Sequence, residues 1–392
     1  MLCKHYHESI PAMETDYDIL IIGAGCAGLS LAMRLAERGE RCPRIALIER
    51  RESYVHDRTW SFWGGQSAQL KPLVHREWKE VVVRGNNQLV QVDCRRMPYQ
   101  SIQSGAFYES ARALIAKNRR INFFSGESVE NISKNKEKWE VILRMGKVRG
   151  SQVVDTRPCE KGGGDIPLLW QSFSGVEVEC QEDVFDENVA TLMDFIAGRS
   201  DEISFLYLLP FSRRRALIEA TVFGKTLRTQ AQLTELLEHC LKRSMGSVPF
   251  KIIYREHFVI PMGLPDISRS EDESYVKVGL EHGGARASTG YVFQRIQRWA
   301  DQAAVRVLRG ESISGHQPDA WIIRKMDRLF LWVLRMHPER AAEIFVRLFS
   351  MRKPESVIRF MNDEATLIDL LKIVWVLPRG LFMKEMVRGI FR

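Results

Sequence analysis

The stretch from Tyr17 to Glu49, YDILIIGAGCAGLSLAMRLAERGERCPRIALIE, restricts what this chain can fold into more than any other. Asp18 to Ile22 predicts a short apolar strand that runs straight into Gly23-Ala-Gly25-Cys-Ala-Gly28. Leu29 to Glu37 has helical spacing and strong helix formers, and Gly39 stops it. Arg44 to Ile48 reads as a second apolar strand that closes on Glu49. A lone G-x-G-x-x-G says little, but framed by strand, helix, strand and acid it marks a dinucleotide site. Gly23 permits the tight turn, Gly25 lets backbone approach a pyrophosphate, and Gly28 lets helix and strand pack closely. The helix N-terminus offers free N–H groups and partial positive charge to the phosphates. Glu49, 21 residues past Gly28, can accept hydrogen bonds from a ribose diol, which favours FAD or NAD over NADP.

A chain of 392 residues holds about two domains, or one large domain with insertions. No run reaches the ~18 apolar residues of a membrane-spanning helix. Residues 1–15 read as an unstructured extension, with Met13 an alternative start. The seven cysteines form an odd set without a CxxC pair, which fits reduced thiols in a cytosolic protein. The nine histidines lack ligand spacing, so no metal is expected. The formal charge is +8, and residues 323–392 carry fourteen Lys/Arg against eight Asp/Glu. Such an excess is either a solvated helical face or a surface for anionic lipid or nucleic acid. No recognised module supports nucleic-acid binding.

Further along, Arg50 to Gly65 is polar, then aromatic through Trp60, Phe62 and Trp63. Strands are expected at Glu80–Val83, Leu89–Val92, Ile121–Phe124, Trp139–Leu143 and Gln152–Val154, with Tyr99 to Ala116 a turn and helix. Between Leu168 and Ile260 five strand patterns surround one helix, Thr229 to Met245, which suggests a separate sheet that covers a substrate. Tyr275–Val278 then opens a second strand–glycine loop–helix unit, with Ser288 or Thr289 a natural N-cap. From Trp321 onward the chain predicts amphipathic helices at Arg324–Met336, Ala341–Met351, Thr366–Leu377 and Gly380–Phe391.

These pieces resemble the bacterial, flavin-dependent lycopene β-cyclases. The residues that carry the resemblance are GAGCAGLSLA (23–32), DRTWSFW (57–63), VVDTRP (153–158) and TLMDF (191–195). FLYLLPFSRRRALIEATVF (205–223), IPMG (260–263), GGARASTGYVF (283–293) and VIRFMNDEAT (357–366) complete the set. The first is generic to flavoproteins; DRTWSF and the LIE segment are more specific. Ala287 and Ala220 depart from the family pattern, which often has proline and an acid there.

The resemblance implies an α/β fold: a glutathione-reductase-type, Rossmann-like FAD-binding domain with an inserted β-rich substrate domain and a helical C-terminal region. The expected divisions are 16–50, 100–158 and 272–310 for FAD, 51–99 and 159–271 for substrate, and 311–392 for the helical region. FAD would be held by Gly23, Gly25, Gly28 and Glu49, by Asp155, and by Gly283, Gly284, Thr289 and Gly290. Its reduced form would be the active one, with NAD(P)H the candidate reductant. Glu219 would protonate the polyene, and Asp194 would orient it or accept the final proton. Read without the resemblance, Glu219 is more readily paired with Arg213, Arg214 or Arg215. Trp60, Phe62, Trp63 and Tyr291 are candidate substrate contacts, although aromatics pack cores by default. The implied partners are lycopene or a related linear carotenoid and a membrane surface, with the protein cytoplasmic and peripheral to the inner face of the cell membrane. The competing expectations are an FAD-dependent monooxygenase, a prenyl or polyene reductase, and a non-catalytic carotenoid carrier.

Overall fold

The computed structural model describes residues 15–65, 67–158, 166–263 and 272–390. Residues 1–14 of the expected N-terminal extension, with the alternative start, lie outside the described residues, while Thr15 already belongs to the first strand. The chain begins β1 (Thr15–Ile22), α1 (Cys26–Ala36) and β2 (Ile45–Glu49). Then come β3 (Thr59–Trp63), β4 (Val74–Trp78), β5 (Glu80–Gly85), β6 (Gln88–Asp93) and β7 (Tyr99–Gln103). Helix α2 (Ser104–Ile115) leads to β8 (Ile121–Ser125), β9 (Val129–Asn135), β10 (Lys138–Leu143) and β11 (Gly146–Asp155). A second run follows: β12 (Leu169–Cys180), β13 (Val189–Phe195), β14 (Ile203–Pro210), β15 (Arg215–Gly224), α3 (Gln230–Met245) and β16 (Phe250–Met262). The remainder is β17 (Tyr275–Lys277), α4 (Phe293–Leu308), α5 (Trp321–Met336), α6 (Ala341–Phe349), α7 (Glu355–Met361), α8 (Leu367–Val376) and α9 (Arg379–Ile390).

One sheet runs β8-β2-β1-β11-β10-β9, with β17 beside the end of β11. β8, β2, β1, β11 and β17 are parallel. Helices α1, α2 and α4 cover one face through Leu29, Leu31, Phe107, Phe293 and Trp299. A parallel sheet must be buried on both sides, which is why β2 is apolar along its whole length before Glu49.

The other large sheet runs β16-β12-β15-β14-β13-β5-β6. Its faces are divided by the two-residue alternation of strands. On β15, Ala216, Ile218 and Ala220 pack towards α3. Leu217 and Phe223 face the opposite way, into a core shared with α5 to α8. Glu219 lies on this second face.

Three local differences from the sequence reading have physical causes. Tyr99–Gln103 is a strand, not a turn, because β3 and β4 pair with it on either side. α4 begins at Phe293 with Val292 at its N-cap and no side-chain cap. Ser288 instead donates to buried Asp327 at 2.9 Å, and Thr289 accepts from the Tyr291 N–H at 3.2 Å. Gly290, at φ 71°, then turns the chain before the helix starts. α7 and β9, both short and partly polar, were not anticipated.

Candidate active site

Three chain segments meet at the C-terminal ends of β1 and β11. Gly23 has φ 94°, which side chains other than glycine's rarely adopt, and Thr156 donates to both Ile22 O and Gly23 O at 3.0 Å. A Cβ on Gly28 would collide with the Gly23 carbonyl. A Cβ on Gly25 would meet nothing within 4 Å, so this glycine borders open space at the helix N-terminus. Val278 N–H bonds Asp155 O at 2.9 Å, and His282 Nε2 lies 3.2 Å from Arg157 O. The 279–284 turn therefore lies against the 155–157 segment.

The acids of this region are held in place. Glu49 is buried and accepts from Ala24 N–H at 2.7 Å and from Arg51 N–H at 3.0 Å. Asp155 accepts from Arg157 and, at 2.6 Å, from the Tyr275 hydroxyl. Burial works against its ionisation, but the Arg157 and Tyr275 hydrogen bonds outweigh it and hold the carboxyl below the usual range. The open cradle above Gly25, the helix dipole and the Glu49 carboxylate fit the ADP half of an FAD. Gly283, at φ 82°, and Gly284, where a Cβ would collide with the Gly279 carbonyl, close the tight turn beside the Asp155 segment.

A cavity of about 550 Å³ lies between the second face of the large mixed sheet and helices α5 to α9. Its floor includes Glu219, Glu256, Tyr207 and Thr221, and Trp60, Thr289, Gly290 and Tyr291 line it from the nucleotide side. Glu219 and Glu256 converge from β15 and β16 across β12, where both are in register with Gly175. A Cβ on Gly175 would fall 2.7 Å from Glu219 Cγ and 3.3 Å from Glu256 Cγ. Burial, then the hydrogen bond and charge of Glu256, hold the Glu219 carboxyl well above the usual range. None of the three arginines before Glu219 pairs with it. Arg215 pairs with Glu177, and Arg213 and Arg214 pair with Asp183.

Asp194 is not brought to this place. It is on the α3 face of the sheet, across register from Leu206, and is clasped by Arg243 at 3.0–3.1 Å and Arg84 at 3.3 Å. Trp60 lines the cavity and stacks on Phe293 with ring centroids 5.1 Å apart. Phe62 and Trp63 do not line it; they are core residues against Phe293 and Tyr99. Tyr291 joins a cluster missed in the sequence, with the Tyr99 hydroxyl 2.9 Å from that of Tyr207 and 3.4 Å from that of Tyr291. Glu256 was missed too. The available signal was Gly175 within a strand, since such a glycine marks close approach of neighbouring groups.

The far end of the cavity is apolar, formed by Phe330, Phe345, Leu377 and Phe382. Val374, Met383 and Met386 line it and are also exposed, which places a mouth between α8 and α9. Around that mouth Leu367, Ile368, Leu371, Trp375 and Val387 are exposed, with Trp375 at 71%. Arg379, Lys384 and Arg388 are exposed on α9. No described helix is long and apolar enough to cross a membrane, and no described group of His, Cys, Asp and Glu is placed to hold a metal.

A family model described as lycopene cyclase protein matches residues 18–386. The lycopene beta-cyclase of Paracoccus sp. is 26% identical over 91% of this chain and 93% of its own length. The chloroplastic neoxanthin synthase of Solanum lycopersicum is 24% identical over 75% of this chain, and the match spans 61% of that relative's length. Among solved structures, a geranylgeranyl bacteriochlorophyll reductase-like protein from Thermoplasma acidophilum superposes with a TM-score of 0.61 at 12% identity, covering 95% of this chain and 98% of the other. The flavin-dependent brominase Bmp2 gives 0.60 at 14% identity, covering 88% and 93%. The fold is thus that of FAD-dependent oxidoreductases, with a parallel sheet and a helical C-terminal region.

Proposed function

The chain belongs to the lycopene cyclase family, and from that membership we propose that it is a lycopene β-cyclase, an isomerase that closes β-rings on the ends of linear carotenoids. The observation that carries this reading is a carboxyl group, Glu219, buried at the floor of an apolar cavity beside a second carboxyl, Glu256, with the cavity mouth opening on an exposed apolar surface. Ring closure needs a proton delivered to the terminal C=C, attack by the neighbouring double bond, and removal of a proton from the resulting cation. No net electron transfer occurs.

Glu219 is the acid. Burial, then the neighbouring Glu256, push its carboxyl well above the usual range, the direction a proton donor requires. The rings of Trp60, Tyr207 and Tyr291 face the cavity and stabilise the cation through their π faces. The apolar wall of α5 to α8 excludes water, which would otherwise trap the cation as an alcohol. Gly23, Gly25, Gly28, Glu49 and the Asp155 and 283–290 segments would hold FAD. When bound and reduced, for which NAD(P)H is the candidate donor, FAD supplies an electron-rich ring that offsets positive charge without being consumed.

Carotenoids are confined to bilayers, so the substrate must enter from one. The mouth between α8 and α9, ringed by Leu371, Trp375 and Val387 and by Arg379, Lys384 and Arg388, suits peripheral docking on an anionic leaflet.

The test is anaerobic incubation of FAD-loaded protein with dithionite and lycopene in liposomes. The expected product has the mass of lycopene and a shortened conjugated system. Unchanged lycopene with FAD bound would sink the reading. A product heavier by two hydrogens would transfer the protein to the reductases that share the fold, and a product heavier by one oxygen that forms only in air would transfer it to the monooxygenases.

A further inference from the structure

Two carboxyl groups in contact inside a protein, with no cation between them, cannot both be ionised at neutral pH. Glu219 and Glu256 are such a pair. Gly175 makes the contact feasible, because any side chain on β12 at that register would separate them. Their surroundings differ in a way that decides where the proton resides. Glu256 Oε2 accepts from Thr59 N–H at 3.0 Å and from the Tyr254 hydroxyl at 2.9 Å. Its Oε1 is buried without a donor. No backbone N–H or hydroxyl hydrogen bond reaches Glu219 among the described residues. A proton on Glu219, pointed at Glu256 Oε1, satisfies both groups.

We propose that Glu219 and Glu256 form one acid–base unit that shares a single proton across Gly175, with Glu256 the charged positioning residue that keeps Glu219 protonated and ready. The proposal rests on the cyclase reading for its chemistry and adds a residue to it. When Glu219 gives its proton to the terminal C=C, the pair is left with two negative charges in a desolvated site. That makes it a strong base at the moment the ring cation must lose a proton. The proton it takes back restores the starting state: one proton leaves, one returns, and nothing is oxidised or reduced.

The other ionisable groups around the pair leave this assignment intact. From β14, Tyr207 faces Glu219 and is itself pushed up by burial and then by that carboxyl. From β12, Glu177 adds a further acid, but Arg215 of β15 neutralises it. From the segment before β3, Arg58 pairs with Asp57 and stacks over Phe258. His56 of the same segment lies on Tyr254 and is pushed down to about 4, chiefly by burial, so it stays neutral. Tyr254 on β16 is pushed up by burial and by Glu256, and so remains a donor.

The experiment is a pH titration of the protonated-carboxyl infrared band, run beside a pH–rate profile, on wild type, Glu219→Gln, Glu256→Gln and Glu256→Asp. In the wild type the band should persist above neutral pH and be absent from Glu219→Gln. In Glu256→Gln the like charge is gone and the amide donates to the Glu219 carboxylate. The band and the alkaline limb of the rate profile should then move to lower pH together, by about 1–3 units. Glu256→Asp should restore much of the shift. A wild-type band that titrates in the ordinary carboxyl range overturns the pair, and so does an unmoved alkaline limb in a folded, FAD-bound Glu256→Gln. The infrared result needs no turnover, so it separates failure of the pair from failure of the cyclase reading. Should Glu256→Gln not fold, the wild-type and Glu256→Asp titrations still decide.

Discussion

Glu219 is buried and, among the described residues, forms no ion pair, and these two facts set both its chemistry and its cost. Replacing it with glutamine keeps shape and removes the proton, so cyclisation should fall by about 10²–10⁴, the usual weight of a general acid, while FAD absorbance is retained. The same substitution should alter stability. The unfolded chain releases the Glu219 proton in the ordinary carboxyl range, whereas the folded chain keeps it to higher pH. Wild-type stability is therefore eroded as pH rises from that range through the folded pKa, and melting temperatures of Glu219→Gln should lack that component. Asp194→Asn tests the other acid. It should cost about 1–2 kcal/mol by loosening the Arg243 clasp, read by denaturant titration, and leave the pH–rate profile in place. A displaced alkaline limb would return Asp194 to the chemistry. Glu219 could be singled out in the sequence because a motif surrounds it. Glu256 could not, because its partnership is made by strand register across Gly175, which only the folded sheet fixes.

Elements were most legible where periodicity and local chemistry agreed. The β1-α1-β2 unit was readable in order and type, with β1 and α1 each starting three residues earlier than expected, since the glycine spacing, the helix formers and the apolar strands all specify one structure. α4 was misplaced at its start because Ser288 and Thr289 look like caps locally but are claimed by Asp327 and by the Tyr291 turn. The C-terminal helices were legible as amphipathic, but not which apolar residues would stay uncovered. In α8, Leu370 and Ile373 point inward while Leu371 and Trp375 are exposed. That outward stripe predicts a specific outcome. Leu371→Glu with Trp375→Glu should abolish sedimentation with liposomes and leave the melting temperature unchanged, since neither side chain packs in the core. Changing Arg379, Lys384 and Arg388 to glutamine should weaken binding to anionic vesicles by about 3 kcal/mol, roughly two orders of magnitude, with little effect on neutral ones. Equal binding of all forms would remove α8 and α9 from the docking surface.

At the scale of the whole molecule, the nucleotide end and the helical roof of the cavity must be held in a fixed relation, and one buried network does this. Arg286, in the glycine loop, is 1% exposed and donates to both Asp327 oxygens on α5, at 2.9 and 3.0 Å. It also donates to the Phe360 carbonyl at the end of α7 and to Asp363 beyond it, at 3.0 Å. Phe360 returns a ring face to the guanidinium at 4.2 Å. The loop that would carry the flavin is thereby fastened to the helices that wall the substrate cavity. Asp327→Ala leaves the Arg286 charge buried and deprives Ser288 of its partner, a change that should cost about 3–5 kcal/mol. Because the loop then loses its fixed position, the loss should appear in cofactor retention as well as in stability. FAD bound to the folded state alone raises stability by about 2.7 kcal/mol at a hundredfold excess over its dissociation constant, and that increment should shrink in Asp327→Ala. Melting curves with and without added FAD measure both terms. If the variant melts lower yet gains as much from FAD as the wild type, the network supports the helices alone and the coupling between cofactor loop and cavity roof must lie elsewhere.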